Sequence, residues 1–183
     1  PNAFVVGFVG RLHSSKGAAQ LAEALEQVTP DIPGLTLLIV GNSEDIELTN
    51  RLQRLHSRVL ETGWVNSTAD YYPLMDVLCL PTFREGFPNV ILEAATHGVP
   101  AITTTATGAV DSVRDGETGS LVPPGDAEAL ASAIRAVHAR VDERVAMGRA
   151  AKDLATQRFS RARIWNGLTS IYAGHPSDDV ALT

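Results

Sequence analysis

Short segments that are apolar throughout alternate along this chain with segments whose apolar residues recur at helical spacing. Strands without polar positions are buried on both faces, and their alternation with helices is typical of a parallel sheet covered on both sides. Strands are predicted at residues 4–9, 35–40, 58–62, 77–80, 101–104 and 120–122. Helices are predicted at 18–28, 44–55, 68–74 and 90–97, and mostly from residue 126 onward, the last one at 161–172. We therefore predict a doubly wound, Rossmann-like α/β fold.

The composition excludes several classes of protein. Of the 183 residues, 44% are hydrophobic and 20% charged, as in an ordinary globular domain. No apolar run reaches the roughly 18 residues that a membrane span requires. The formal net charge of −6 argues against a general affinity for nucleic acid. Because Cys79 is the only cysteine, it cannot form an internal disulfide, which favours a cytoplasmic setting.

The loop after the first strand carries two cations in an unusual place. In a doubly wound fold, ligands bind at the carboxyl ends of strands. Residues 10–17 read GRLHSSKG, which matches neither the dinucleotide fingerprint nor the P-loop. Arg11 and Lys16 are the only Lys or Arg side chains among the first fifty residues, which contain six acidic ones. Cations are disfavoured at a helix N-terminus unless an anion joins them, so this loop suits a phosphate or diphosphate. The alternative is two solvated surface side chains.

The loop after the fourth strand also predicts contact with a ligand. Residues 81–94 read PTFREGFPNVILEA. Gly86 allows a close approach of the backbone, and Pro88 fits the first turn of a helix. The N–H groups of Asn89 and Val90 at that helix start are candidate phosphate donors.

Glu93 lies inside this predicted helix, among residues that look like core. Ile91, Leu92 and Ala94 are apolar, so a half-buried Glu93 carboxylate needs a partner. An ionised carboxylate only accepts hydrogen bonds, and a pair of hydroxyls such as a ribose diol would satisfy it. The alternative is an exposed helical residue.

The two glutamates, in the context EGFPNxxxEA at residues 85–94, resemble the signature of a large family of retaining glycosyltransferases that includes sucrose synthases and mannosyltransferases. Further motifs match in order and spacing at residues 10–12, 16–17, 98–100 with 108, 115–119 and 122–126. The resemblance covers residues 4–172. It implies the carboxyl-terminal, donor-binding domain of the GT-B fold, in which two Rossmann-like domains face each other.

The resemblance also implies roles for individual residues. Arg11 and Lys16 would hold the diphosphate of a nucleotide sugar and offset its charge as it leaves, and Glu85 would face the transferred sugar; these three are the catalytic candidates. Glu93 would hold the ribose, and the loop at 63–65 would contact the base. The substrate-binding candidates are Gly10, Arg11, Lys16, Gly41, Val65, Glu85, Gly86, Phe87, Pro88, Asn89, Val90 and Glu93. The chain departs from the family pattern at 41–44, which reads GNSE, and at 108–111, which reads GAVD.

We expect a transfer of hexose from a UDP or GDP sugar with retention at the anomeric carbon, with no cofactor and no obligatory metal. Residues 1–173 would form the donor domain and 174–183 a frayed tail. The chain begins at Pro1 directly before a strand, and we expect the acceptor domain to precede it in a longer protein. The cations between residues 135 and 163 are solvated helix faces or, as a weaker alternative, a contact with the cytoplasmic face of an acidic membrane.

Two other functions stay open. One is a nucleotide-sugar binding module without turnover. The other is a different sugar-nucleotide enzyme on the same fold, such as an epimerase or a phosphorylase. Phosphorylases that use pyridoxal phosphate need a Schiff-base lysine, and the sequence has only Lys16 and Lys152.

Overall fold

A computed structural model describes residues 3–43, 45–55 and 57–159, together with positions 165, 169, 170 and 172. Its six strands form one sheet in the order β3-β2-β1-β4-β5-β6, and every pairing between neighbours is parallel. The strands are β1 (Phe4–Val9), β2 (Leu35–Val40), β3 (Arg58–Glu61), β4 (Val77–Leu80), β5 (Ala101–Thr104) and β6 (Gly119–Val122). The prediction of a parallel α/β sheet is confirmed.

Burial along the strands follows their place in the sheet. Every residue of β2, β4 and β5 is buried, including Thr36 in β2 and Thr103 and Thr104 in β5. The edge strand β3 is mostly exposed, and it is the strand with charged residues at both ends, Arg58 and Glu61. A charged edge discourages another strand from pairing with it.

Within residues 3–159, apart from the two undescribed positions, five helices flank the sheet: α1 (Ala18–Val28), α2 (Ile46–Gln53), α3 (Asn89–Thr96), α4 (Ala127–Ala139) and α5 (Val141–Arg158). Asp45 and Asp126 cap α2 and α4, since their carboxylates accept backbone N–H bonds from Leu48 and Ala129. Helix α1 packs against α4, and α3 packs against α5. No helix within the described ranges combines the length and the apolarity needed to cross a bilayer.

The chain leaves β1 in two directions. It first runs outward through β2 and β3, then returns to the other side of β1 to form β4, β5 and β6. Because such crossovers are right-handed, opposite directions place the connecting helices on opposite faces of the sheet. The carboxyl ends of β1 and β4 therefore border the point where the order reverses, which is where open α/β sheets bind ligands.

Two predicted helices differ in the structure. The segment 68–74 forms only a 3-10 turn at Tyr72–Leu74, since Pro73 offers no N–H and its ring blocks the preceding helical turn. Helix α2 begins later than the predicted 44–55 because Asp45 caps it from outside, and it ends two residues early, at Gln53. The helix predicted at 161–172 falls mostly, and the tail at 174–183 wholly, outside the described residues.

At the amino edge of the sheet, one arginine ties α5 to the ends of β1 and β4. Asp76 accepts the Val5 N–H at 2.8 Å and pairs with Arg144 at 3.1 Å. Arg144 also donates to the Val137 carbonyl at 3.0 Å, and its guanidinium lies 5.3 Å from the centre of the Phe4 ring. We call Asp76 and Arg144 the amino-edge pair.

Candidate functional site

The loops that follow β1 and β4 are bound to each other at the carboxyl edge of the sheet. The Ser15 carbonyl accepts two hydrogen bonds from the second loop, from the Phe83 N–H at 3.1 Å and the Thr82 hydroxyl at 3.1 Å. Gly17 has a left-handed φ of 70°, and a Cβ there would overlap with the Pro81 carbonyl. The glycine is therefore required both for the turn and for the close contact between the loops.

The joined loops bring two of the predicted catalytic residues into contact. Lys16 Nζ donates to Glu85 Oε1 in an ion pair. The Lys16 side chain is 35% exposed and the Glu85 side chain 12% exposed, so the pair lies at the surface of the crevice with the carboxylate on the inner side. We call Lys16 and Glu85 the carboxyl-edge pair. Its two members are 69 positions apart in the sequence and meet only because the sheet order reverses between β1 and β4.

Gly108 packs directly against the backbone of the loop that carries Glu85. Its φ is 79°, and a Cβ there would overlap with the carbonyl groups of Glu85 and Gly86. The neighbouring Thr107 carbonyl accepts the Glu85 N–H at 3.1 Å. The sequence motif included Gly108 without a role, and the structure gives it one, as the contact surface for the backbone that carries Glu85.

The starts of α1 and α3 face the same edge, and neither has a side-chain cap or an acidic residue in its first turn. Backbone N–H groups at such ends suit an anion. One predicted donor needs correction, because the Asn89 N–H already donates to the Phe87 carbonyl at 3.0 Å. No carbonyl in the described ranges accepts the Val90 N–H, so Val90 remains the better candidate of the two.

Arg11 lies exposed on an extended segment that continues the sheet beyond β1. The Leu12 N–H donates to the Asn42 carbonyl at 3.0 Å, and Leu12 and Ser43 form a parallel bridge. The loops after β1 and β2 thus run side by side. Gly10 begins this segment, and its N–H donates to the Val40 carbonyl at 2.9 Å.

The loop after β3 joins the same edge. Gly41 and Gly63 form an antiparallel bridge, which places the predicted base-binding segments next to each other. Trp64 is exposed, whereas Val65 is half-buried and packs against the core. Val65 can therefore meet a ligand through its backbone rather than through its side chain.

Phe87 and Pro88 lie between the Glu85 loop and α3. Pro88 is buried. The Phe87 ring packs against the ring of Phe159, with the ring centres 5.4 Å apart. The predicted binding segment is thereby anchored to the end of α5.

Glu93 is exposed, so the expectation of a half-buried residue is wrong. On a helix of eight residues, its side chain points away from the buried Ile91 and Ala94. Its carboxylate nevertheless has hydroxyl partners, because Oε2 accepts from Tyr72 at 2.7 Å and from Thr68 at 3.0 Å. Burial and the nearby carboxylate both raise the pKa of the Tyr72 hydroxyl, which stays protonated and donates.

A profile of the family described as "Glycosyl transferases group 1" matches residues 3–140. The chain belongs to the glycosyl transferases group 1 family. The family that the two glutamates and their neighbouring motifs predicted is thereby confirmed.

Relatives in this family match most of the chain. CapM of Staphylococcus aureus, a capsular polysaccharide biosynthesis glycosyltransferase, is 34% identical over 173 residues, which make up 92% of this chain and 46% of CapM. LpsE of Rhizobium meliloti, a lipopolysaccharide core biosynthesis glycosyltransferase, is 30% identical over 178 residues, or 96% of this chain and 51% of LpsE. HepE of Anabaena, crystallised with UDP, superimposes with a TM-score of 0.87 at 28% identity, covering 94% of this chain and 49% of HepE. The chain spans about half the length of these relatives.

Sequence reasoning about this glycosyl transferases group 1 chain missed the residues that hold the site residues in place. Thr82 is fully buried and binds Ser15, while Tyr72 and Thr68 bind Glu93. The only sequence signal was that these hydroxyl-bearing residues stand close to the carboxyl end of a strand or to a turn. Many other residues in the chain do so as well. Their contacts join segments that are 21 to 67 positions apart.

Proposed function

We propose that this chain binds a nucleotide-diphosphate sugar at the carboxyl edge of its sheet and serves as the donor half of a retaining hexosyltransferase. The observation that carries the proposal is the carboxyl-edge pair, which joins the predicted phosphate residue Lys16 to the predicted sugar residue Glu85. Membership of the glycosyl transferases group 1 family supports it, as does the likeness to HepE, which was crystallised with UDP and with UDP-glucose.

The diphosphate would lie between the loop after β1 and the start of α3. Arg11 and Lys16 supply positive charge there, and the uncapped starts of α1 and α3 add backbone N–H groups. Fixed donors of this kind stabilise the negative charge that develops on a leaving diphosphate. We therefore propose a transfer that needs no obligatory metal ion and no other cofactor.

The sugar and the nucleoside would extend to either side of the diphosphate. Glu85 would accept hydrogen bonds from sugar hydroxyls, with the backbone of Gly86 and Phe87 beside it. Glu93 would hold the ribose, and the backbone near Gly41 and Val65 would border the base. The role of Glu85 is to position the sugar, and we assign no nucleophile within this chain.

The rest of the reaction would depend on the remainder of the protein. The relatives are about twice as long as this chain, and we propose that a second, amino-terminal domain holds the acceptor. A cytoplasmic location, or a peripheral contact with the cytoplasmic face of a membrane, would suit a chain whose single cysteine, Cys79, is buried and unpaired.

Calorimetric titration of the 183-residue chain with UDP, GDP and ADP tests the donor site. We expect one diphosphate to bind with the same affinity in EDTA and in Mg²⁺. Lys16→Ala and Arg11→Ala should each lower that affinity by about tenfold or more, because each removes a charged hydrogen bond. Arg149→Ala, which removes an exposed arginine from α5, is the matched control and should bind as the parent does.

Three results would contradict parts of the proposal. Equal affinity in both variants and the parent would remove the phosphate role of the loop after β1. A loss of binding in EDTA that Mg²⁺ restores would show that a metal ion is needed. Donor binding without any transfer by a protein that carries this chain with an acceptor domain would favour the binding module instead.

A further inference from the structure

The Glu93 carboxylate is held on one side by the protein itself. Its Oε2 atom accepts from both the Tyr72 hydroxyl, at 2.7 Å, and the Thr68 hydroxyl, at 3.0 Å. A carboxylate oxygen has two lone pairs, so these two donors occupy Oε2. No hydroxyl or N–H in the described ranges donates to the second oxygen, Oε1. Because Glu93 is exposed, a ligand can reach Oε1.

Tyr72 is the fixed member of this arrangement. It is 1% exposed, although its hydroxyl reaches an exposed glutamate. Its ring stacks on the ring of His97, with centres 5.4 Å apart and planes inclined by 27°. A buried tyrosine on a 3-10 turn that contains a proline has few alternative rotamers, so its hydroxyl is a rigid donor.

The backbone of Glu93 is held from the other end. Its carbonyl accepts from the Thr96 hydroxyl at 2.7 Å and lies 2.8 Å from His97 Nδ1, which must donate because a carbonyl oxygen only accepts. His97 therefore contacts both Tyr72 and Glu93. The side chain and the backbone of Glu93 are fixed by one connected set of residues.

We propose that Tyr72 and Thr68 are positioning residues that orient the Glu93 carboxylate so that Oε1 accepts from a ribose hydroxyl. This inference rests on the proposed function, in which Glu93 holds the ribose of the donor. Two donors on Oε2 prevent the carboxylate from turning, so the ligand finds Oε1 already aimed. The same arrangement makes Tyr72 a determinant of the preference for ribonucleotides over deoxyribonucleotides.

The preference follows from the cost of an unmade hydrogen bond. A site built to accept from a hydroxyl discriminates against an analogue that lacks it, since its own polar group loses a partner. This discrimination weakens when the Glu93 carboxylate is free to rotate, because its oxygen atoms can then accept hydrogen bonds from water instead. Loss of the Tyr72 hydroxyl should therefore reduce binding of the ribonucleotide more than binding of its deoxy analogue.

The test titrates the 183-residue chain with UDP, 2′-deoxy-UDP, 3′-deoxy-UDP and pyrophosphate. Tyr72→Phe and Thr68→Val should each weaken UDP binding by about three- to tenfold, with pyrophosphate binding changed less than about twofold. One deoxy analogue lacks the hydroxyl that Glu93 holds. That analogue should bind the variants as tightly as it binds the parent chain. Thr68→Ser keeps a hydroxyl and should restore the parent affinity. Tyr71→Phe, at the neighbouring half-buried tyrosine, is the matched control.

The double variant Tyr72→Phe with Glu93→Gln separates positioning from a structural role. If Tyr72 acts through Glu93, its substitution should have no further effect on UDP binding once Glu93 is Gln. An additive loss, or an equal loss for UDP and pyrophosphate, would overturn the inference. If Glu93→Gln lowers UDP affinity but Tyr72→Phe does not, the inference fails and the proposed function stands. If Glu93→Gln leaves UDP binding unchanged, the ribose role of Glu93 fails, and the inference fails with it.

Discussion

Two ion pairs at opposite edges of the same sheet differ in how many further hydrogen bonds their charged side chains make to the protein. In the amino-edge pair, Arg144 is 15% exposed and Asp76 28%, and both also bind backbone groups of Val5 and Val137. In the carboxyl-edge pair, the described side-chain contacts of Lys16 and Glu85 are those with each other.

This difference separates a pair that stabilises the fold from a pair that a ligand can enter. A partly buried charge that also binds backbone groups cannot exchange its partner without leaving those groups unsatisfied. A cation whose contact is one carboxylate can exchange it for a phosphate oxygen, and the carboxylate can exchange the cation for sugar hydroxyls. We expect substitutions in the amino-edge pair to lower stability, and those in the carboxyl-edge pair to change binding.

The largest expected effect is on the amino-edge pair. Asp76→Ala removes the partner of Arg144 and the acceptor of the Val5 N–H, and should cost about 2–3 kcal/mol of stability. Urea unfolding measures it, and the thermal midpoint should fall by roughly 5–10 °C. Asp76→Asn keeps an oxygen for Val5 and should lose about half as much. Equal, small losses in both variants would remove the contrast between the two pairs.

A smaller effect is expected at the carboxyl-edge pair, where a substitution should strengthen ligand binding rather than lower stability. Glu85→Gln removes the anion that competes for Lys16, so pyrophosphate should bind about three- to tenfold more tightly, with stability changed by less than about 1 kcal/mol. Titration with pyrophosphate measures the gain. Glu117→Gln, which breaks the exposed pair with Arg114, is the matched control and should leave the affinity unchanged. Unaltered or weaker pyrophosphate binding in Glu85→Gln would show that the two anions do not compete.

The smallest effect is expected at a pair that belongs to neither edge. Glu26 and Arg51 join α1 to α2 at the surface through two hydrogen bonds of 2.7 and 2.6 Å. The hydrogen bonds from Arg51 lower the pKa of Glu26, so the pair stabilises the fold above the ordinary pKa of a glutamate. That contribution is lost as the pH falls through the lowered value. Glu26→Gln should cost less than about 1 kcal/mol at pH 7 and progressively less as the pH falls through the lowered pKa of Glu26, as measured by urea unfolding. A cost that persists at low pH would mean that packing, not charge, holds α1 to α2.

The sheet was predictable because short, mostly apolar segments alternate with segments at helical spacing, as buried parallel strands and their connecting helices do. Four of the six strands begin and end where the sequence predicts, and the other two differ by one residue. The failure at 68–74 has a local cause in Pro73, which the helical spacing of apolar residues does not register. The order of the strands could not be predicted from this pattern, since the pattern does not show on which side of β1 the chain returns to form β4.

The site was only partly predictable. Charge and glycine spacing identified the loops that carry Lys16 and Glu85, and the family resemblance assigned their roles. The sequence did not predict that these two side chains contact each other, because the contact depends on the switch between β1 and β4. For the same reason, the hydroxyl of Tyr72 on Glu93 and the support of Glu85 by Gly108 became visible only in the fold.

The contacts of the Ser15 carbonyl have a consequence for engineering this domain. An exchange of the 81–88 loop with that of a relative would also have to preserve the close contacts of Pro81 with Gly17 and of Glu85 and Gly86 with Gly108. A larger residue at either position would push the grafted loop away from Ser15. The smallest set of segments that can be exchanged is therefore the loops that contain Gly17, residues 81–88 and Gly108, all taken from the same parent. Chimeras that exchange these three loops together should fold more often than chimeras that exchange one of them alone.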